Sequence, residues 1–377
     1  MKGPPSHPEK IQEKKLTNSK RGRKGEDESN GVNKNEMSNP KLIEYYKVLI
    51  KDSERSLNSL DAFVTFKTIY NAYYLVYFNK KNSIISYDLG LNKKINEIKN
   101  AHLKDIIKLI HYYDNYNQRN LVLSEDKKDN VKIWDVENLD CICNLNFEEK
   151  KQNTINIVSL CFLKDNTKIN IAIRFINEQF IRLYDISGKK IKDIKGVIKD
   201  DFSYLESYYD QNQKKSYIII SSKENIKSYD YEQNIVYKKY ISFDKQLIQY
   251  NYSNINIYDK DGITNLLASN SIGIRIWNFH SGGLLNVINM PNLYNICMWD
   301  SEYIFARNGL MSLIELKTGK VVKKLKFDEE ENLFDILSVK KAYIPKYENC
   351  LLTQISNGPI ILWVIKNKKI LFEINRK

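Results

Sequence analysis

Beyond residue 60 apolar and polar positions alternate at a spacing of two, the period of a strand that presents one face to each side. One five-residue pattern recurs along this stretch: apolar, any residue, apolar, aromatic or apolar, then acidic or polar, with a polar turn close behind. It appears as Ile84-Ile85-Ser86-Tyr87-Asp88, Val131-Lys132-Ile133-Trp134-Asp135, Ile181-Arg182-Leu183-Tyr184-Asp185, Ile226-Lys227-Ser228-Tyr229-Asp230, Ile274-Arg275-Ile276-Trp277-Asn278, Met311-Ser312-Leu313-Ile314-Glu315 and Ile360-Ile361-Leu362-Trp363-Val364. Successive copies lie 37 to 50 residues apart, close to the length of a four-stranded propeller blade. The third unit shows the division most plainly. Residues 154–165, 169–177, 180–186 and 190–194 are rich in Ile, Val, Phe and Tyr, and Lys164-Asp165-Asn166, Asn177-Glu178 and Ser187-Gly188 supply the turns. Alternation buries both faces of the inner strands, which no unit can do alone, so the units must stack and close radially. The pattern predicts an all-β fold, a seven-bladed propeller of four-stranded antiparallel blades over residues 60–377.

The copies ending in Asp135, Asp185 and Asn278 resemble the third strand of WD40 repeats, and the resemblance extends over residues 60–377. In that family a His before the first strand, a Ser or Thr in the second, an Asp in the next turn and the third-strand Trp form a hydrogen-bonded set. The resemblance implies this set for His102, Ser124 and Trp134. Asp129 is its expected acidic member, one residue nearer Trp134 than the family spacing. Asp135, Tyr184, Asp185, Tyr229, Asp230, Trp277 and Trp363 occupy the matching third-strand positions as structural repeat residues. Only four histidines occur, His7, His102, His111 and His280, so at most one blade is fully equipped and the rest depend on apolar packing. WD40-like proteins serve mostly as rigid platforms for assembling complexes. The resemblance therefore implies a non-catalytic scaffold that binds proteins or peptides on the narrower face or along loop edges, as a monomeric propeller within a larger complex.

The ends read differently. Residues 1–38 hold almost no large apolar side chains and cannot offset the entropy of ordering, which predicts a disordered basic tail. Within it Lys14, Lys15, Lys20, Arg21, Arg23 and Lys24 form a candidate two-part nuclear import signal, which motivates an alternative: a nuclear propeller of a nucleoprotein complex. Over 39–58, Ser38 and Asn39 as caps, Pro40, and the spacing of Leu42, Ile43, Tyr46, Leu49 and Ile50 predict a short amphipathic helix. The same residues also suit an extra edge strand. Residues 369–374 read as the fourth strand of the last blade, so closure is expected to rest on packing of blade 1 against blade 7. Longer loops are expected around 117–120, 209–216 and 259–264, and tight ones around 299–301 and 308–309 in the short sixth unit.

Charge and chemistry add little to this picture. The formal net charge is +13, but only nine of the 59 cations are arginine, whereas base and phosphate recognition favours the guanidinium fork. Nucleic acid is therefore expected only as an indirect partner. Tyr237-Lys238-Lys239-Tyr240 alternates like an outer strand rather than a stacking platform. Five cysteines without a metal-ligand partner pattern read as buried thiols of an intracellular protein, cytoplasmic with the nucleus possible. No apolar run is long enough for a membrane helix. No nucleophile elbow, phosphate loop, dinucleotide fingerprint or paired-histidine zinc motif occurs, so no cofactor, metal or catalytic residue is expected. A propeller enzyme with carboxylates gathered in the channel is the remote alternative; the run Asp328-Glu329-Glu330-Glu331 reads as a solvated loop.

Overall fold

The computed structural model describes residues 41–42, 45–49, 63–145, 147, 157–164, 168–176, 178–198, 204–222, 225–241, 254–270, 272–308, 310–324, 336–344, 347–355 and 360–365. These form seven sheets, with no helix among the described residues, arranged as a seven-bladed propeller of four-stranded antiparallel blades, one of which carries a fifth strand. Blades 1 to 5 each use four consecutive strands paired in chain order. All seven recurring segments are third strands, among them Ile84–Asp88, Val131–Asp135, Phe180–Asp185 and Gly273–Asn278.

The register repeats in detail. In each of blades 1 to 6 the pairing of third and fourth strands slips at the segment's fourth residue, as at Ser86/Tyr87, Leu183/Tyr184 and Ile276/Trp277. A bulge of this kind bends and twists the outer strand around the large side chain it faces. The turn that follows needs a left-handed residue, which Asn92, Leu139, Gly188, Asn234, Gly282 and Gly319 supply. At Gly319 a Cβ would stand 2.6 Å from Ile288 Cγ2, so glycine is required there for space as well as for φ.

Seven apolar clusters, one at each blade interface, make the core. The cluster between blades 1 and 2 joins Val64, Val76 and Ile84 to Leu109, Val122 and Trp134. The ring closes where Phe63, Leu75 and Tyr87 of blade 1 meet Ala342, Leu352 and Leu362 of blade 7. Burial thus runs between blades, as the alternation requires.

The N-terminal stretch corrects the sequence reading. Where a helix over 39–58 was the expectation, Lys41–Leu42 and Tyr45–Leu49 are strands. Tyr45–Leu49 pairs antiparallel with Ile360–Ile365 and is the outer strand of blade 7, so the last blade is completed from the other end of the chain. Lys41–Leu42 adds a parallel fifth strand to blade 6, on Val321–Lys324. The physical reason is the open sheet edge: its row of unpaired N–H and C=O groups is satisfied by an extended segment and not by a helix. Packing of blade 1 on blade 7 is present, but it shares closure with this strand. Residues 369–374, the tail 1–38 and the candidate import residues lie outside the described residues.

Candidate functional site

Antiparallel order puts the first-to-second and third-to-fourth turns of every blade on one face, here the hairpin face. The second-to-third turns and the links between blades lie on the opposite, linker face. Each face has its own polar architecture.

On the linker side of blade 2 the Trp134 Nε1–H donates to Ser124 Oγ at 2.7 Å, and Ser124 Oγ lies 2.6 Å from His102 Nε2. His102 Nδ1 lies 3.2 Å from Asp126 Oδ2. Tryptophan can only donate and an ionised carboxylate can only accept. The chain therefore runs one way: Trp134 to Ser124, the Ser124 hydroxyl to Nε2, and Nδ1–H to Asp126. Burial pushes the Asp126 carboxyl up, but hydrogen bonds from His102, Asn130 and the Asn130 and Lys128 amides outweigh it and lower its pKa to about 2. The acidic member is thus Asp126 and not Asp129. Asp129 sits in a left-handed conformation and accepts the Ile157 N–H at 3.0 Å. The order Asp, His, Ser matches a nucleophilic triad in outline. All three residues are buried, however, and Trp134 occupies the serine oxygen, so no substrate reaches it and the set holds loops in place.

A second copy of the tryptophan–hydroxyl pair stands in blade 7, where Trp363 Nε1–H donates to Thr353 Oγ1 at 2.7 Å. Both pairs are ten residues apart in sequence, a spacing that would have revealed Thr353. Trp277 instead donates to the Ile241 carbonyl at 3.2 Å. Tyr184 packs on Phe147, and the Tyr229 hydroxyl reaches Asn234.

On the hairpin face the acidic residues fasten turns. Asp135 accepts the Glu137 and Asn138 amides, Asp185 those of Ser187 and Lys189, and Asp230 those of Glu232 and Gln233. The first-to-second turns use the same device, with Asp114 on Tyr116 and Asn117 and Asp210 on Asn212 and Gln213. The loops expected to be long at 117–120 and 209–216 are for this reason tight hairpins, and 259–264 closes on the two left-handed residues Asp261 and Gly262. In blade 6 the turn at 299–302 is tight as expected, and Gly309 lies outside the described residues.

Between the hairpins of blades 2, 3 and 4 opens a cavity of about 620 Å³ bordered by Tyr112, Asp114, Tyr116, Arg119, Asp185 and Tyr209. Tyr116 is 83% exposed at its rim. Burial raises the Asp114 carboxyl, but Asn117 and Arg119, the latter at 3.0 Å, hold it below its usual value. Asp185 is held low in the same way by Ser187 and Lys189. Both carboxylates are therefore charged at neutral pH.

A second cavity, about 320 Å³, lies along the channel among the first strands and also touches Tyr112. Its polar residues engage the blades themselves. Lys340 donates to the Phe63 carbonyl at 2.7 Å, and His111 stacks on Phe66 with its Nε2 2.9 Å from Asn120 Oδ1. Burial, reinforced by Lys340 against the Asn120 hydrogen bond, lowers the His111 pKa to about 4. All five cysteines are free and four are buried; Cys141, exposed on an outer strand, departs from the expected burial. No group of metal-ligating side chains occurs among the described residues. No family model and no curated protein matches the chain.

Proposed function

We propose that this propeller is a divergent WD40-like, non-catalytic scaffold that captures a protein segment in the hairpin-face cavity. The observation that carries the reading is the cavity itself: tyrosines from two blades and two charged carboxylates on hairpins fastened by their own side chains. Rigid, amphipathic tyrosines around a concave site give large contact area at small entropic cost. The buried sets of blades 2 and 7 and the aspartate-fastened third-strand turns support the WD40-like assignment.

Affinity purification of tagged full-length protein, wild type against Tyr116→Asp, tests it. The expected result is loss of one discrete group of partners from a variant whose thermal midpoint is unchanged, because exposed substitutions shift stability by only about 0.5 kcal/mol. An identical set of recovered proteins would remove the cavity from the proposal. A second reading, nuclear import through Lys14, Lys15, Lys20, Arg21, Arg23 and Lys24, is checked by fluorescent fusions with and without residues 10–24. Identical distributions would end it.

A further inference from the structure

The linker face over blades 1 and 2 is built unlike the hairpin face. Three segments meet there: the second-to-third turn of blade 1 (79–83), the link 99–105, and the second-to-third turn of blade 2 (126–130). They are joined by main-chain hydrogen bonds, Ala101 N–H to the Asn82 carbonyl at 2.9 Å and Lys127 N–H to the Asp105 carbonyl at 2.9 Å. Lys132 Nζ donates to the Ala101 carbonyl at 2.7 Å, and beneath lies the Trp134–Ser124–His102–Asp126 chain. The three loops are thus one rigid patch.

This patch presents Lys80, Lys81, Lys99, Lys104, Lys127 and Lys128, all exposed. Its three acids are already engaged. Asp105 pairs with Lys127 at 2.9 Å, Asp126 is buried on His102, and Asp129 accepts the Ile157 amide. Lys80, Lys81, Lys104 and Lys128 have no carboxylate partner among the described residues. At the centre stands Leu103, 92% exposed beside the locked His102.

We propose that this patch is a second docking surface, and that its occupant is an acidic peptide segment carrying an apolar side chain for Leu103. Charge complementarity selects the acidic class, since a cluster of unpaired cations steers and holds a carboxylate-rich partner. The patch argues against nucleic acid. The three segments contain no arginine fork, and their only ring belongs to the buried His102, so bases have nothing on which to stack. This surface goes beyond the hairpin-face reading and stands without it. Two chemically distinct faces would let one propeller bridge an aromatic-seeking partner and an acidic one.

Full-length protein is titrated into a fluorescein-labelled peptide of alternating glutamate runs and leucines, its glutamine counterpart, and a single-stranded oligonucleotide of equal charge, read by anisotropy. The acidic peptide should bind, weaken steeply between low and physiological salt as exposed charges are screened, and outbind both controls. The quadruple variant Lys80→Glu, Lys81→Glu, Lys104→Glu, Lys128→Glu should weaken it by about tenfold or more. The matched variant Lys93→Glu, Lys214→Glu, Lys317→Glu, Lys320→Glu near the hairpin face should leave affinity within about twofold. If the first variant unfolds, the corresponding four Lys→Gln changes serve, with a smaller loss in the same direction. Equal weakening by both variants, binding untouched by the first, or tighter binding of the oligonucleotide each overturns the proposal. Tyr116→Asp should leave peptide binding unchanged, which separates this surface from the hairpin cavity.

Discussion

Blade 2 and blade 5 carry a tryptophan at the same third-strand position and house it by opposite means. In blade 2 the Trp134 N–H feeds a buried relay through Ser124 and His102 to the charged Asp126. In blade 5 the register places Ala268 where Ser124 stands, since Ala268 faces Arg275 as Ser124 faces Lys132. There Trp277 turns its N–H to a main-chain carbonyl and packs its ring near Tyr240, with Phe279 in the same cluster. The difference teaches that the wedge between blades demands a large flat side chain, whereas the partner of its polar atom is open to local choice. A buried N–H must be satisfied, but a hydroxyl and a carbonyl do so equally well.

The comparison is broken most forcefully by removing both rings. Trp134→Ala and Trp277→Ala should each cost about 3 to 5 kcal/mol as core truncations, read by urea denaturation. An unchanged midpoint for Trp134→Ala alone would mean that blade 2 is held by its relay and not by its ring.

Acid should then separate the blades, because among the described residues the two groups strongly shifted within the acid range, His111 and Asp126, lie in blade 2. His111 has a folded pKa of about 4 against 6.5. The unfolded chain takes up its proton first, so this stability is complete above pH 6.5 and is lost as pH falls to 4. Asp126, at about 2 against 3.8, contributes above pH 3.8 and loses that contribution as pH falls towards 2. The upper limb amounts to about 3 kcal/mol and the lower to about 2. Thermal midpoints measured against pH should show both, His111→Gln should flatten the upper limb and Asp126→Asn the lower. A curve that Trp277→Ala reshapes as much as His111→Gln would assign the acid sensitivity elsewhere.

The finest distinction comes from single hydroxyls. Ser124→Ala leaves both Trp134 Nε1 and His102 Nε2 without a partner and should cost about 1 to 3 kcal/mol. Thr353→Val removes the one hydrogen bond from the Trp363 N–H to Thr353 Oγ1 and should fall near 1 kcal/mol. Equal losses would show that His102 takes no part in blade 2's relay.

Much of this architecture is legible in the chain because it is local. Strand alternation, the aspartate after the third-strand aromatic of blades 1 to 4 and the left-handed turn residue lie within about ten residues of one another, so these repeats carry their own instructions. Ser124 and Trp134 lie ten residues apart, whereas His102, 22 residues before Ser124, could be picked out only through the resemblance to WD40 repeats. Asp126 could not be told from Asp129 by spacing, since both lie in one turn; backbone conformation decides, directing Asp129 to the Ile157 amide and leaving Asp126 to His102.

What the sequence by itself determined is the blade: its four strands, the position of its wedge and the fastening of its turns, all set by side-chain periodicity and short-range hydrogen bonding. What only the tertiary structure decided is how the ends meet. Tyr45–Leu49 and residues 369–374 are equally suited by composition to the last edge. The edge took Tyr45–Leu49, a pairing made across some three hundred residues of chain. Propensity is blind to such a choice, because it depends on where the closed ring brings each segment.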